Sequence, residues 1–139
     1  MEEDSQELER GYYFALDALS REPGILRDRE HIDQIICEAI EKIGMHLIDG
    51  PHSVWYADCA EKDIGVSSVA ILAESSISIH TYPMTSYLAC DIFSCKPFDD
   101  LALIEFFKER LHISHYQVNR LMRGSQIIQR EDLCSSGVY

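Results

Sequence analysis

The residues best equipped for chemistry fall in one stretch. Glu74-Ser75-Ser76-Ile77-Ser78-Ile79-His80-Thr81-Tyr82-Pro83 is followed by Asp91-Ile92-Phe93-Ser94-Cys95. A hydroxyl, an imidazole and a thiol thus share one expected strand–turn–strand unit. With the turn near Pro83 to Ser86, His80 and Cys95 are expected on neighbouring strands. Two generic chemistries compete. A Cys95–His80–Asp91 hydrolase has the residue types for thiolate activation, but no recognisable nucleophile turn accompanies them. A metal held by His80, Cys90 and Cys95 requires the cysteines to converge. Five apart on a strand, they point to opposite faces, which disfavours a shared ion, zinc included. Taken singly, each residue also has an ordinary reading. Ser75 is then a strand-edge serine, His80 a solvated or core-satisfied histidine, and Cys95 a small hydrophobe.

Strands and helices must position these groups. Tyr12, Phe14 and Leu16 alternate with Tyr13, Ala15 and Asp17, as in a strand. Ser20 to Asp28, with Pro23 and Gly24, reads as a loop. Asp28 can cap a helix in which Ile32, Ile35, Ile36, Ala39, Ile40 and Ile43 recur at helical spacing, and Gly44 ends it. Met45 to Ile48 reads as a strand, and 52–64, with Trp55 and Tyr56, as a polar connection. Val66–Leu72, the alternating Ile77 and Ile79, and Tyr87–Phe93 read as strands. A second helix is expected from Asp99 to Leu111, with Leu101, Ile104, Phe107 and Leu111 on one face. Tyr116–Met122 closes the set. Residues 1–10 and the tail after Gly124 read as polar ends. The order β-α-β-β-β-β-α-β implies an α+β fold, with two helices on one face of a mainly antiparallel sheet.

Composition narrows the partners. The 139 residues suit a single domain, 1–139, and 46% hydrophobic content suffices for a core. Twelve Lys+Arg against 24 Asp+Glu leave a net charge of −12, which argues against nucleic acid or an anionic membrane surface. The same charge is compatible with a cationic small-molecule substrate. No apolar run approaches the ~20 residues of a membrane span. The N-terminal MEEDSQELER is acidic, unlike a secretory signal. Five cysteines without a CxxC read as free thiols in a reducing, cytoplasmic setting.

The run ESSISIHTYP and the spacing from His80 to the Cys95 of DIFSC resemble the short prokaryotic S-adenosylmethionine decarboxylases, with their pattern ESHxxIHTWPExGYAAxDxFTCG. Gly65-Val66-Ser67 matches the family's GVS, eight residues before the key serine. The spacings Ser67–Ser75–His80–Cys95 hold without a gap. The resemblance implies a two-layer α/β sandwich made as a proenzyme that cuts itself between Glu74 and Ser75. The products would be chains 1–74 and 75–139. Ser75 would attack the Glu74 carbonyl in an N→O acyl shift, and elimination and hydrolysis would leave a pyruvoyl group at position 75. Ser67 matches the family's stabilising hydroxyl and His80 its processing base. The pyruvoyl group would take the substrate amine as a Schiff base and act as electron sink, with no metal. Cys95 matches the family's proton donor. The resemblance also implies a homodimer of cleaved protomers.

Departures bear on the substrate. Met84 stands where the family has the glutamate that binds the ribose of S-adenosylmethionine, and a thioether cannot replace that acceptor. Ser86 and Lys96 replace glycines, and Ser76 replaces a histidine. Tyr82 keeps an aromatic where adenine stacks, and Trp55 or Tyr56 is a candidate for its other face. The pattern leans to a basic amino acid, L-ornithine or L-arginine, with S-adenosylmethionine as the alternative. A catalytically inactive binding or regulatory homologue is the second alternative.

Overall fold

The structure, a computed structural model, describes residues 11–124. The expected polar ends and Cys134 lie outside that range. The six strands are β1 (Tyr12–Ser20), β2 (Leu47–Tyr56), β3 (Gly65–Leu72), β4 (Ser75–Tyr82), β5 (Tyr87–Ser94) and β6 (Ile113–Met122). The helices are α1 (Arg29–Lys42) and α2 (Asp100–Arg110). The strands form one sheet in the order β2-β3-β4-β5-β1-β6, and each pair is antiparallel. Both helices cover the same face, giving the α+β sandwich that the element order implies.

Local chemistry explains the helices. The Asp28 carboxylate accepts the His31 N–H at 3.2 Å and caps α1. Ile32, Ile35, Ile36, Ala39 and Ile40 are buried at helical spacing. Each buried isoleucine contributes about 1.5–3 kcal/mol of apolar transfer. Gly44, at φ 68°, turns the chain out of the helix. Asp99 caps α2 through the Ala102 N–H at 3.1 Å. The buried face of α2 is Leu103, Ile104 and Phe107. Leu101, expected on that face, is instead 67% exposed. Burial alternates along β4 and β5, with Ile77, Ile79, Leu88, Cys90 and Ile92 turned to the helices.

Three boundaries differ from expectation. The second strand is Leu47–Tyr56 rather than Met45–Ile48, so residues 52–56 belong to the sheet. Its Gly50-Pro51 is tolerated because β2 is an edge strand with shifted register on both sides of Asp49. Met45 is buried, but ahead of the strand. The loop before α1 holds a short 3-10 turn, Pro23–Arg27. The final strand begins earlier, at Ile113.

Among the described residues no helix covers the other sheet face. It presents Val54, Val69, Ile71, Leu19 and Leu121, all exposed. Ser67, Ser76, Ser78, His80 and Tyr82 stand half-buried among them.

Candidate active site

The β3–β4 turn carries the Glu74–Ser75 peptide. Ser75 opens β4 with φ 151°, a conformation that side chains rarely adopt. Such backbone stores about 1–3 kcal/mol and persists only where its surroundings hold it. Ser75 faces Ser94 in the β4–β5 register, which sets Cys95 beside the same peptide. The Cys95 N–H donates to the Glu74 carbonyl oxygen at 2.9 Å. That N–H polarises the carbonyl and is aimed where negative charge would develop under attack. The Cys95 side chain is exposed.

Glu74 is held from several sides. Its carboxylate accepts from His46 Nδ1 at 2.7 Å and from the His46 backbone N–H at 3.2 Å. Lys96 Nζ lies 3.6 Å away. The His46 side-chain hydrogen bond chiefly lowers the Glu74 carboxyl from 4.5 to about 2, helped by backbone N–H groups and Lys96 and opposed by burial.

A second group sits further along β4. Ser67 faces His80 in the β3–β4 register, and Ser67 Oγ is hydrogen-bonded to His80 Nδ1 at 2.8 Å. Gly65 allows this close approach. A Cβ there would lie 1.7 Å from the Thr81 carbonyl oxygen. Thr81 Oγ1 accepts from Val66 N–H at 2.9 Å and donates to the Leu26 carbonyl at 2.7 Å, tying β4 to β3 and the 23–27 turn. Tyr82 stacks on Tyr87 at 5.4 Å. Met84 is 47% exposed, with Arg27 Nη1 4.0 Å from its sulfur.

The expected residues therefore form two clusters. Glu74, Ser75 and Cys95 meet at one end of β4, and Ser67, His80 and Tyr82 at the other. Ser75 and His80 are five positions apart on the strand, about 16 Å at the usual rise. His80 faces Ala89, and Cys95 lies just past the end of β5 rather than on it, so the two are not opposite one another. The Cys95–His80–Asp91 triad does not assemble within the chain. Asp91 faces Ser78 and accepts the Tyr13 hydroxyl at 2.8 Å, which raises the Tyr13 pKa. Tyr87 similarly donates to Asp17 and is pushed up to about 12. Cys90 turns into the core, where burial pushes its thiol up, while Cys95 is exposed beyond β5. His80, Cys90 and Cys95 thus do not converge. Trp55 packs on the Arg27 guanidinium at 5.4 Å, and Tyr56 donates its hydroxyl to the Asp58 carbonyl.

His46 and the role of Lys96 were not legible in sequence. Neither has a motif, and both contacts with Glu74 cross between distant segments. A lysine replacing glycine directly after Cys95 was the only signal.

A strained Glu-Ser peptide thus closes the β3–β4 hairpin, with an N–H on its carbonyl and a thiol alongside. The S-adenosylmethionine decarboxylase family matches residues 13–124, and the chain belongs to that family of self-processing, pyruvoyl-dependent carboxy-lyases. It is 30% identical over 123 residues to the S-adenosylmethionine decarboxylase proenzyme of Pyrococcus furiosus, covering 88% of this chain and 82% of that one. The proenzyme of the same name from Saccharolobus islandicus is 33% identical over 103 residues, covering 73% and 79%. The crystal structure of the adenosylmethionine decarboxylase from Aquifex aeolicus shares the fold, with a TM-score of 0.67 at 21% identity over 86% of this chain and 93% of that one. Among the described residues no helix is long and apolar enough to cross a membrane.

Proposed function

We propose that the chain cleaves itself between Glu74 and Ser75 and then decarboxylates a cationic substrate bearing an α-amino acid group. The observation that carries this reading is the Cys95 N–H on the Glu74 carbonyl, next to a strained serine. Ser75 Oγ forms a bond to the Glu74 carbonyl carbon. The Glu74–Ser75 C–N bond breaks, and the hydroxyl proton passes to the departing nitrogen, leaving an ester. Removal of the Ser75 Cα proton breaks the Ser75 Cβ–Oγ bond, releasing Glu74 with a new C-terminal α-carboxylate and leaving dehydroalanine, which tautomerises to an imine. Water then releases ammonia, and a pyruvoyl group remains at position 75, needing no metal. Once made, that group supplies an electron sink for the pair left when CO₂ departs. Cys95 stands beside position 75 to return a proton to the product.

The Ser67–His80 pair is the natural base and hydroxyl donor, but it stands too far along β4 to serve Ser75 of its own chain. That separation supports a homodimer in which each protomer completes its partner's site. The sheet face that no described helix covers, with its exposed valines, leucines and isoleucine, is a suitable self-complementary surface. Free thiols among the described residues accord with a cytoplasmic setting.

The relatives' names support S-adenosylmethionine as substrate. The expectation of L-ornithine or L-arginine finds no support among them. One observation favours that second reading. Where the family places its ribose-binding carboxylate, this chain has Met84, whose thioether sulfur is only a weak, uncharged acceptor and already faces Arg27 Nη1 at 4.0 Å. A CO₂-release panel over S-adenosylmethionine, L-ornithine, L-arginine and L-lysine separates the readings. Release from S-adenosylmethionine alone supports the first, and release from a basic amino acid alone the second. Cleaved protein that releases CO₂ from none of them would refute both and favour a binding or regulatory homologue.

A further inference from the structure

Three chain segments converge on the Glu74 side chain: the turn after α1, the β3–β4 turn, and the residues after β5. His46 holds Glu74 Oε1 through its ring and Oε2 through its backbone N–H. The His46 carbonyl in turn accepts the Ala73 N–H at 2.9 Å. Lys96 Nζ bridges Oε1 at 3.6 Å and the Gly44 carbonyl at 3.1 Å. Lys96 directly follows Cys95, whose N–H holds the Glu74 carbonyl. The Glu74 side chain is 9% exposed, whereas His46 and Lys96 are 75% and 42% exposed. An exposed pair of donors thus closes over a buried carboxylate.

We propose that His46 and Lys96 are positioning residues for self-cleavage, clamping the Glu74 side chain so that its carbonyl stays on the Cys95 N–H with Ser75 in its strained conformation. The proposal rests on the self-cleavage reading above. Neither residue touches the reacting atoms. Both act through Glu74, whose carboxylate is fixed on both oxygens while its carbonyl is fixed by a neighbour of Lys96. Without the clamp the Glu74 side chain no longer anchors its Cα to the neighbouring segments, and the peptide plane at the attacked carbon gains freedom to turn about ψ against the single Cys95 N–H contact. A displacement near 1 Å at a reacting centre costs up to about 100-fold in rate.

The test follows cleavage of freshly made, full-length chain by intact mass over time. Lys96→Met and His46→Ala are expected to slow cleavage by about 10- to 100-fold. Lys96→Arg and His46→Asn, which keep the donors, are expected to restore most of the rate. The same substitutions in an uncleavable Ser75→Ala chain should lower its melting temperature, since Glu74 loses a partner, but leave it fully folded at the temperature of the cleavage assay. Hydroxylamine, which cuts esters, should not speed the slow variants, because the clamp acts before the ester forms. Cleavage of Lys96→Met and His46→Ala at the parental rate overturns the clamp while leaving the self-cleavage reading intact. Slowing accompanied by unfolding of the Ser75→Ala chain at the assay temperature, or persisting in both conservative variants, overturns a positioning role. A parental chain that never cleaves overturns both proposals.

Discussion

Gly65→Ala tests whether the close approach of β3 and β4 holds the Ser67–His80 pair. The added Cβ would lie 1.7 Å from the Thr81 carbonyl oxygen and 2.7 Å from its carbon. Both are backbone atoms, so no side chain can swing aside. Reaching an ordinary contact of 3.4 Å requires the strands to part by about 1.7 Å at this point. The Val66 N–H to Thr81 Oγ1 bond, 2.9 Å long, is the first to suffer. It lies next to Ser67 and His80. Overpacking of this kind costs about 1–3 kcal/mol, and a lost buried hydrogen bond about 1 kcal/mol more. For a domain this size, the sum lowers the melting temperature by about 6–12 °C. The assay is thermal unfolding of Gly65→Ala in the uncleavable Ser75→Ala background. Gly24→Ala is the control, because nothing lies within 4 Å of its added Cβ. Gly65→Ala should also slow self-cleavage in the Ser75 chain. A Gly65→Ala chain that melts with its parent and cleaves at the parental rate would refute the reasoning.

Further expectations concern Cys95 and Glu74. Cys95→Ala keeps the backbone N–H on the Glu74 carbonyl, so cleavage should persist while turnover falls by about 10²–10⁴-fold; mass analysis and CO₂ release read the two separately. Glu74 has a folded pKa of about 2 against an ordinary 4.5, so the folded state binds its proton less readily than the unfolded state. Its contribution to stability is present above the ordinary value and is lost as pH falls through that window. Urea midpoints of the Ser75→Ala chain and its Glu74→Gln derivative should therefore differ most near neutral pH and converge towards about pH 2. A difference independent of pH would show that the Glu74 charge is not engaged in the fold.

Much of the scaffold was readable because periodicity reports burial. The isoleucines of α1 mark its buried stripe, Asp28 and Gly44 mark its ends, and the alternation in β4 and β5 marks which face meets the helices. The element order was enough for the sandwich. Leu101 misled because hydrophobicity at the start of α2 does not reveal which side the helix presents. β2 was cut short because Gly50-Pro51 looks like a turn, yet an edge strand tolerates a residue that cannot donate to the ladder. The family resemblance singled out Ser67, Ser75, His80 and Cys95, but did not reveal how the fold groups them. Antiparallel register sends Cys95 to Ser75 and Ser67 to His80, leaving about 16 Å of strand between the pairs. The His46–Glu74–Lys96 contact depends on three loops meeting in space, which no local pattern encodes.

The central claim is that this chain cuts its own backbone at Glu74–Ser75. Intact mass of purified protein tests it most directly, beside the Ser75→Ala variant. The expected result is two chains, 1–74 and 75–139, with the second lacking a free amino terminus, and a single uncut chain for Ser75→Ala. A parental protein that remains one full-length chain on prolonged incubation would contradict it.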